Sequence, residues 1–192
     1  MRASILRETS RGINAISTVD KLYEERMIFL TEEINSEVTT GVIRELLCLE
    51  KADPKKEITL CITTPGGEVT SGLALYDVLR GLKCPVRTVC IGTAASMGAI
   101  IFLAGNKRQI LRHCQVMVHD PLLSGLSGSR KALELEKEAL KLMESRAIIG
   151  GIIAERTGHT IEEVYEKTKE DTYLDAEEAL AFGIATEIAD RI

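Results

Sequence analysis

Ser96 stands in Gly92-Thr93-Ala94-Ala95-Ser96-Met97-Gly98-Ala99, where a β-type run (86–91) passes through small residues into an apolar, helix-like run. A lone hydroxyl at such a junction lies beside backbone N–H groups that no helical carbonyl satisfies. Those donors can hold a developing oxyanion while the hydroxyl attacks a carbonyl. Gly98 reads as leaving no side chain in the way of a substrate. The same stretch also reads as a serine N-cap in a close-packed turn of small residues. On its own it does not choose between the two.

The chain has three histidines. His119 follows Val116-Met117-Val118 and precedes Asp120-Pro121, which stops a strand, so it is predicted at a strand end facing a cleft. His113 reads as a turn residue and His159 as an exposed residue opening a helix. Asp171 lies between a charged helix and the helix-start signal Asp175-Ala176-Glu177-Glu178, where an acid ordinarily caps or faces solvent. Each is weak alone. Together Ser96, His119 and Asp171 supply nucleophile, base and orienting acid in that chain order.

The elements that must position them alternate. Strands are predicted at 27–30, 58–62, 86–91, 109–111, 115–118 and 185–188. Helices are predicted at 33–51, 69–82, 97–103, 161–167, 176–182 and, as one long charged helix bent at Gly150-Gly151, 130–156. Repeated β-α-β units imply an α/β domain with a mostly parallel sheet. The long helix alternates a charged surface (Lys131, Glu134, Lys137, Lys141) with apolar Leu133, Leu140, Met143 and Ile148. It exceeds the internal need of a 192-residue globule, so part of it is expected to project into a partner. The other reading is a solvated helix packed on its own sheet.

Composition narrows the classes. A hydrophobic content of 45% and a charged content of 28% are ordinary for a globular chain. A net charge of -5 argues against nucleic acid or an anionic membrane as partner. No signal-peptide pattern opens the chain, and its most apolar window, 94–104, is too short to span a bilayer. Five cysteines (Cys48, Cys61, Cys84, Cys90, Cys114) form no C-x-x-C pair. Cys48, Cys61 and Cys90 lie in apolar runs and read as small core hydrophobes. No metal site is expected, and the reducing cytoplasm is the expected compartment. Gly66-Gly67 lacks a following Lys and is followed by Glu68, which disfavours a phosphate cradle.

Several words in order resemble the ClpP family, the proteolytic subunits of Clp proteases. They are Thr93-Ala94-Ala95-Ser96-Met97-Gly98-Ala99, Val116-Met117-Val118-His119-Asp120-Pro121-Leu122, and Thr63-Thr64-Pro65-Gly66-Gly67 followed by Val69-Thr70-Ser71-Gly72-Leu73. Glu8-Thr9-Ser10-Arg11-Gly12 is similar to the start of the mature family proteins, and Glu25-Arg26-Met27-Ile28-Phe29-Leu30 to their first strand. The resemblance covers essentially the whole chain. It implies the crotonase-like, ClpP-type superhelix of β-α-β units with a protruding handle helix at about 122–157. It implies an axial-pore segment at 1–20 and one peptidase domain at 21–192.

For function, the resemblance implies a serine endopeptidase with Ser96 as nucleophile, His119 as base and Asp171 as orienting acid, and with the N–H groups of Gly67 and Met97 as oxyanion hole. Substrate would lie extended between the loop after Gly67 and 122–126. It further implies heptameric rings stacked as a homo-oligomeric tetradecamer, fed with unfolded protein by a Clp-family AAA+ unfoldase that docks directly or through a paralogous ring. No cofactor is implied; ATP belongs to the unfoldase. Two departures bear on partners. Lys169-Glu170 reverses the usual acid-then-Arg order before the acid. Thr59, Cys61, Gly81 and Gln109 stand where relatives often carry aromatic residues of the unfoldase pocket. Two rivals remain: an enoyl-CoA hydratase-like member of the same fold, and a regulatory or weakly active paralogue subunit.

Overall fold

The computed structural model describes residues 4–9, 12–122 and 131–192. A hairpin of β1 (Ser4–Thr9) and β2 (Gly12–Ser17) leads into α1 (Thr18–Glu24), which is closed by a Ser17/Asp20 capping box. The α/β body then follows: β3 (Met27–Leu30), α2 (Ser36–Ala52), β4 (Ile58–Thr64), α3 (Val69–Gly81), β5 (Val86–Ala95), α4 (Met97–Leu103), β6 (Lys107–Leu111) and β7 (Gln115–Val118). The long α5 (Ala132–Thr157), α6 (Ile161–Thr168), β8 (Thr172–Leu174), α7 (Ala176–Ala181) and β9 (Glu187–Ala189) complete it. Strands β3-β4-β5-β6-β9 lie side by side in parallel, as the alternation predicts.

The buried runs explain the layering. Ile58, Leu60, Cys61 and Ile62 of β4 are fully buried on both faces, which parallel strands covered by helices require. All seven residues of α4 are buried, so this helix lies inside the molecule and Phe102 packs at its centre. Arg26 has a left-handed backbone and is buried. Its guanidinium donates to the carbonyls of Leu49, Asp53, Lys56 and Glu57, closing the end of α2.

Strand β5 carries the division of labour that matters most. Its first half pairs with β6 (Arg87–Cys90 against Lys107–Ile110), and its last three residues pair with β7 instead (Thr93–Ala95 against Gln115–Met117). Sequence reading stops β5 at residue 91; the small residues beyond it continue the strand because β7 lies against them. The helix predicted from residue 33 begins at Ser36, since Asn35 caps the N–H groups of Glu37 and Val38. The last strand lies at 187–189 rather than 185–188.

Two sequence expectations need correction, those for Cys48 and His159. Helix α5 is continuous through Gly150-Gly151. Gly150 is there for packing: a Cβ would come 2.7 Å from Tyr165 Cε1 of α6. Cys48 is exposed, whereas Cys61 and Cys90 are buried. His159 is half-buried and stacks on Phe182 with ring centroids 4.1 Å apart. In α5 the only buried residues are Ile149, Gly150 and Ile153. Leu133, Leu140, Met143 and Ile148 are exposed along it, and the buried contacts lie in its C-terminal half. Residues 123–130, which include Arg130 and part of the expected handle and substrate wall, lie outside the described residues.

Candidate active site

Register brings the expected polar side chains together. Ala95 faces Met117 in the β5–β7 pair, and the Ser96 N–H extends the ladder by donating to the Met117 carbonyl at 2.8 Å. His119, two residues past Met117, therefore arrives beside Ser96. Its Nε2 lies 2.8 Å from Ser96 Oγ. Strand β7 also pairs antiparallel with β8, with Val118 facing Thr172, so the next residues outward, His119 and Asp171, fall opposite each other. Here the approach is incomplete. His119 Nδ1 and Asp171 Oδ1 are 3.9 Å apart, beyond hydrogen-bond reach. Asp171 is 64% exposed against 12% for His119, and the buried Nδ1 has no hydrogen-bond partner among the described residues.

Ser96 occupies the N-cap position of α4, yet its side chain caps nothing. Its backbone is at φ 54, ψ -121, a region that costs a non-glycine residue about 1–3 kcal/mol. The strain is held by the Met117 bond, by the Ala99 N–H donating to the Ser96 carbonyl at 3.0 Å, and by a neighbour without a side chain. That neighbour is Gly66: a Cβ there would lie 2.6 Å from Ser96 Cβ and 3.2 Å from the Met97 nitrogen. The turn aims the hydroxyl at His119 instead of at the helix.

Met97 and Gly67 lie in the same pocket as this hydroxyl. Met97 is the first residue of α4, so its N–H has no intrahelical acceptor. Gly67 lies in a one-residue parallel bridge with Ile34. The bridge uses the Ile34 N–H to the Gly66 carbonyl (2.7 Å) and the Glu68 N–H to the Ile34 carbonyl (2.8 Å). The Gly67 N–H takes no part in it. Thr64 secures the same loop by donating to the Glu32 carbonyl and accepting from the Gly66 N–H. Ile34 and Thr64 escape sequence reading because bridges between separate segments leave no local pattern. Gly98 is corrected in role: a Cβ there would meet Thr64 Cγ2 at 2.5 Å, so it serves the seating of α4 on β4.

Ser96, His119 and Asp171 open onto a cavity of about 280 Å³, walled by Val69, Met97, Ile100, Ile149 and Ile153. The cavity is an apolar trough with one hydroxyl–imidazole pair at its polar end. A larger concavity, about 680 Å³, lies at His159, Glu163 and Phe182, where His159 Nδ1 contacts Glu163 and the Thr172 hydroxyl donates to the Lys167 carbonyl. Among the described residues no group of three or more His, Cys, Asp or Glu side chains could hold a metal ion, and no helix is long and apolar enough to cross a membrane.

Thr59 and Gln109, two of the positions at which relatives often carry aromatic residues, are buried. Both are held by Arg87, which donates to Thr59 Oγ1 at 2.9 Å and to Gln109 Oε1 at 3.0 Å, while Gln109 donates to Glu187. Lys169 is paired with Glu166 of its own helix. Compared with known families, the chain matches the model described as Clp protease over residues 10–191.

Proposed function

The chain belongs to the Clp protease family, and on that premise we propose that it is a serine endopeptidase acting through an acyl-enzyme on unfolded polypeptides and short peptides. The observation that carries the reading is the 2.8 Å contact between His119 Nε2 and Ser96 Oγ on a strained turn. His119, neutral and protonated at Nδ1, takes the Ser96 proton as Oγ bonds to the scissile carbonyl carbon. The carbonyl oxygen becomes an oxyanion, held by the Gly67 and Met97 N–H groups. The tetrahedral species collapses, the C–N bond breaks, and the leaving amine receives the proton from His119. Water then repeats the sequence on the ester. Asp171, 3.9 Å from His119 Nδ1, stabilises the imidazole's cation by its charge.

We further place the chain in stacked heptameric rings, with residues 1–20 at the axial pore and the exposed apolar residues of α5 covered by a second ring. An AAA+ unfoldase supplies substrate and consumes the ATP. The Arg87 network over Thr59 and Gln109 makes the expected unfoldase pocket polar, which favours docking through a paralogous ring. Five free thiols fit the reducing cytoplasm. The test is hydrolysis of short fluorogenic peptides by the purified chain, with the ester intermediate seen as an added mass on Ser96. Coenzyme A thioester binding without hydrolysis would favour the hydratase-like rival.

One observation favours a second reading, a weakly active or regulatory subunit: Asp171 stands off His119. Peptidase activity that appears only on mixing with a paralogous subunit would select it.

A further inference from the structure

His119 is held at one ring nitrogen by Ser96, while the other has no hydrogen bond among the described residues, Asp171 lying 3.9 Å away. The orientation of the ring must then come from the backbone that carries it. The residue directly after it, Asp120, is fixed at three points. Its N–H donates to the Thr168 carbonyl at 2.7 Å, its Oδ1 accepts from Thr168 Oγ1 at 2.7 Å, and its Oδ2 accepts from Arg146 Nε at 2.6 Å. Arg146 belongs to α5 and Thr168 to α6, so one carboxylate ties the end of β7 to both helices.

The clamp is itself supported. The Arg146 guanidinium lies 3.6 Å from the centre of the Tyr165 ring, and the absent Cβ of Gly150 makes room for that ring. With side chains only 25% and 32% exposed, the Arg146–Asp120 pair is better shielded than a surface ion pair, and short charge-assisted bonds of this kind are strong as well as directional. We infer that Asp120, clamped by Arg146 and Thr168, is a positioning residue that sets the angle at which His119 presents Nε2 to Ser96. The seating of α5 is thereby read at the base. The inference rests on the proposed roles of Ser96 and His119.

The test separates the number of intact sites from the quality of each. Full-length wild type, Asp120→Asn, Arg146→Gln and the double variant are reacted with excess fluorophosphonate. Two quantities are read: the final fraction labelled at Ser96 and the rate constant of labelling. The single variants are expected to reach the wild-type fraction with a rate constant lower by on the order of 10- to 100-fold, the scale of an ångström-sized misplacement. The double variant is expected to be no slower than the slower single, because both changes break one contact. Arg112→Gln, which removes an exposed pair with Asp190, is expected to keep the wild-type rate.

Unchanged rate constants in the single variants, or effects that multiply in the double, overturn the inference and leave Ser96 as nucleophile. A reduced labelled fraction at an unchanged rate also overturns it, since that is a folding effect alone. If the charge variants do not fold, Thr168→Val decides, with a several-fold slower rate expected and a wild-type rate overturning the inference. A wild-type chain that never takes the label at Ser96 removes the functional reading, and the inference with it.

Discussion

Replacing Gly67 by alanine strikes the oxyanion loop at a point where the structure allows its cost to be worked out. The residue is at φ 146, and an added Cβ would lie 2.2 Å from the Ile34 carbonyl oxygen and 2.8 Å from the Ile34 nitrogen. Relief of the first contact to the 3.0 Å that real Cβ atoms respect needs a retreat of about 0.8 Å. The two bridge bonds, now 2.7 and 2.8 Å, then lengthen to about 3.5 Å or more and are lost as hydrogen bonds. Two backbone bonds at roughly 1 kcal/mol each and backbone strain of about 1–3 kcal/mol give about 3–5 kcal/mol. For a chain of this size that lowers Tm by on the order of 10 °C. The same retreat withdraws the Gly67 N–H from the position of the oxyanion, and loss of one such donor costs about 10²–10³-fold in kcat. Calorimetry and peptide hydrolysis are measured on the same preparation. A variant that melts within about 2 °C of wild type, roughly 1 kcal/mol or less, and cleaves at its rate would refute this account of the loop.

Gly41→Ala is the counterpart: nothing lies within 4 Å of the added carbon on α2, so a gain of about 0.4–1 kcal/mol and a higher Tm are expected by calorimetry. Asp171→Asn is expected to slow peptide hydrolysis by about 10–100-fold, less than the roughly 10⁴-fold loss of a triad whose acid is hydrogen-bonded to the base; a full 10⁴-fold loss would mean that the 3.9 Å gap closes in the working enzyme. Cys48 is expected to react alone with a thiol reagent in the native protein, the other four only on unfolding. Burial pushes the Cys61 thiol from 9.0 to about 11 and the Cys90 thiol to about 12. From pH 9 upward the unfolded thiols ionise before the native ones, so their contribution, complete below pH 9, is lost as pH rises through about 11 for Cys61 and about 12 for Cys90. The loss is about 1.4 kcal/mol per pH unit and thiol, and denaturant melts of Cys61→Ala/Cys90→Ala are expected to show a shallower alkaline slope.

The sequence was most legible where an element is both local and buried. Met97–Leu103 and Gln115–Val118 agree residue for residue with the expected helix and strand, because a short, mainly apolar run bounded by turn signals admits few other readings. The hairpin Ser4–Thr9/Gly12–Ser17 and the short β8 were missed. The hairpin's strands carry too little apolar alternation, and β8 exists only because β7 is there to pair with it. Ser96, His119 and Asp171 were legible as residue types in order, and the structure brings the first two into contact and leaves the third apart. What sequence could not give is what holds them. The Arg146–Asp120 bond spans 26 positions and the Thr168–Asp120 bond 48, and neither leaves a periodic signal. Arg146 looks like any charge on a charged helix, and Asp120 like a strand stop.

The most direct measurement is covalent mapping of the nucleophile. The purified chain is incubated with a fluorophosphonate or a β-lactone, digested, and the modified residue located by mass spectrometry, in parallel with Ser96→Ala. The account expects a single adduct on Ser96, no adduct in the variant, and peptide cleavage reduced by on the order of 10⁵-fold or more. An adduct on another serine, or labelling and cleavage that survive in Ser96→Ala, would contradict it.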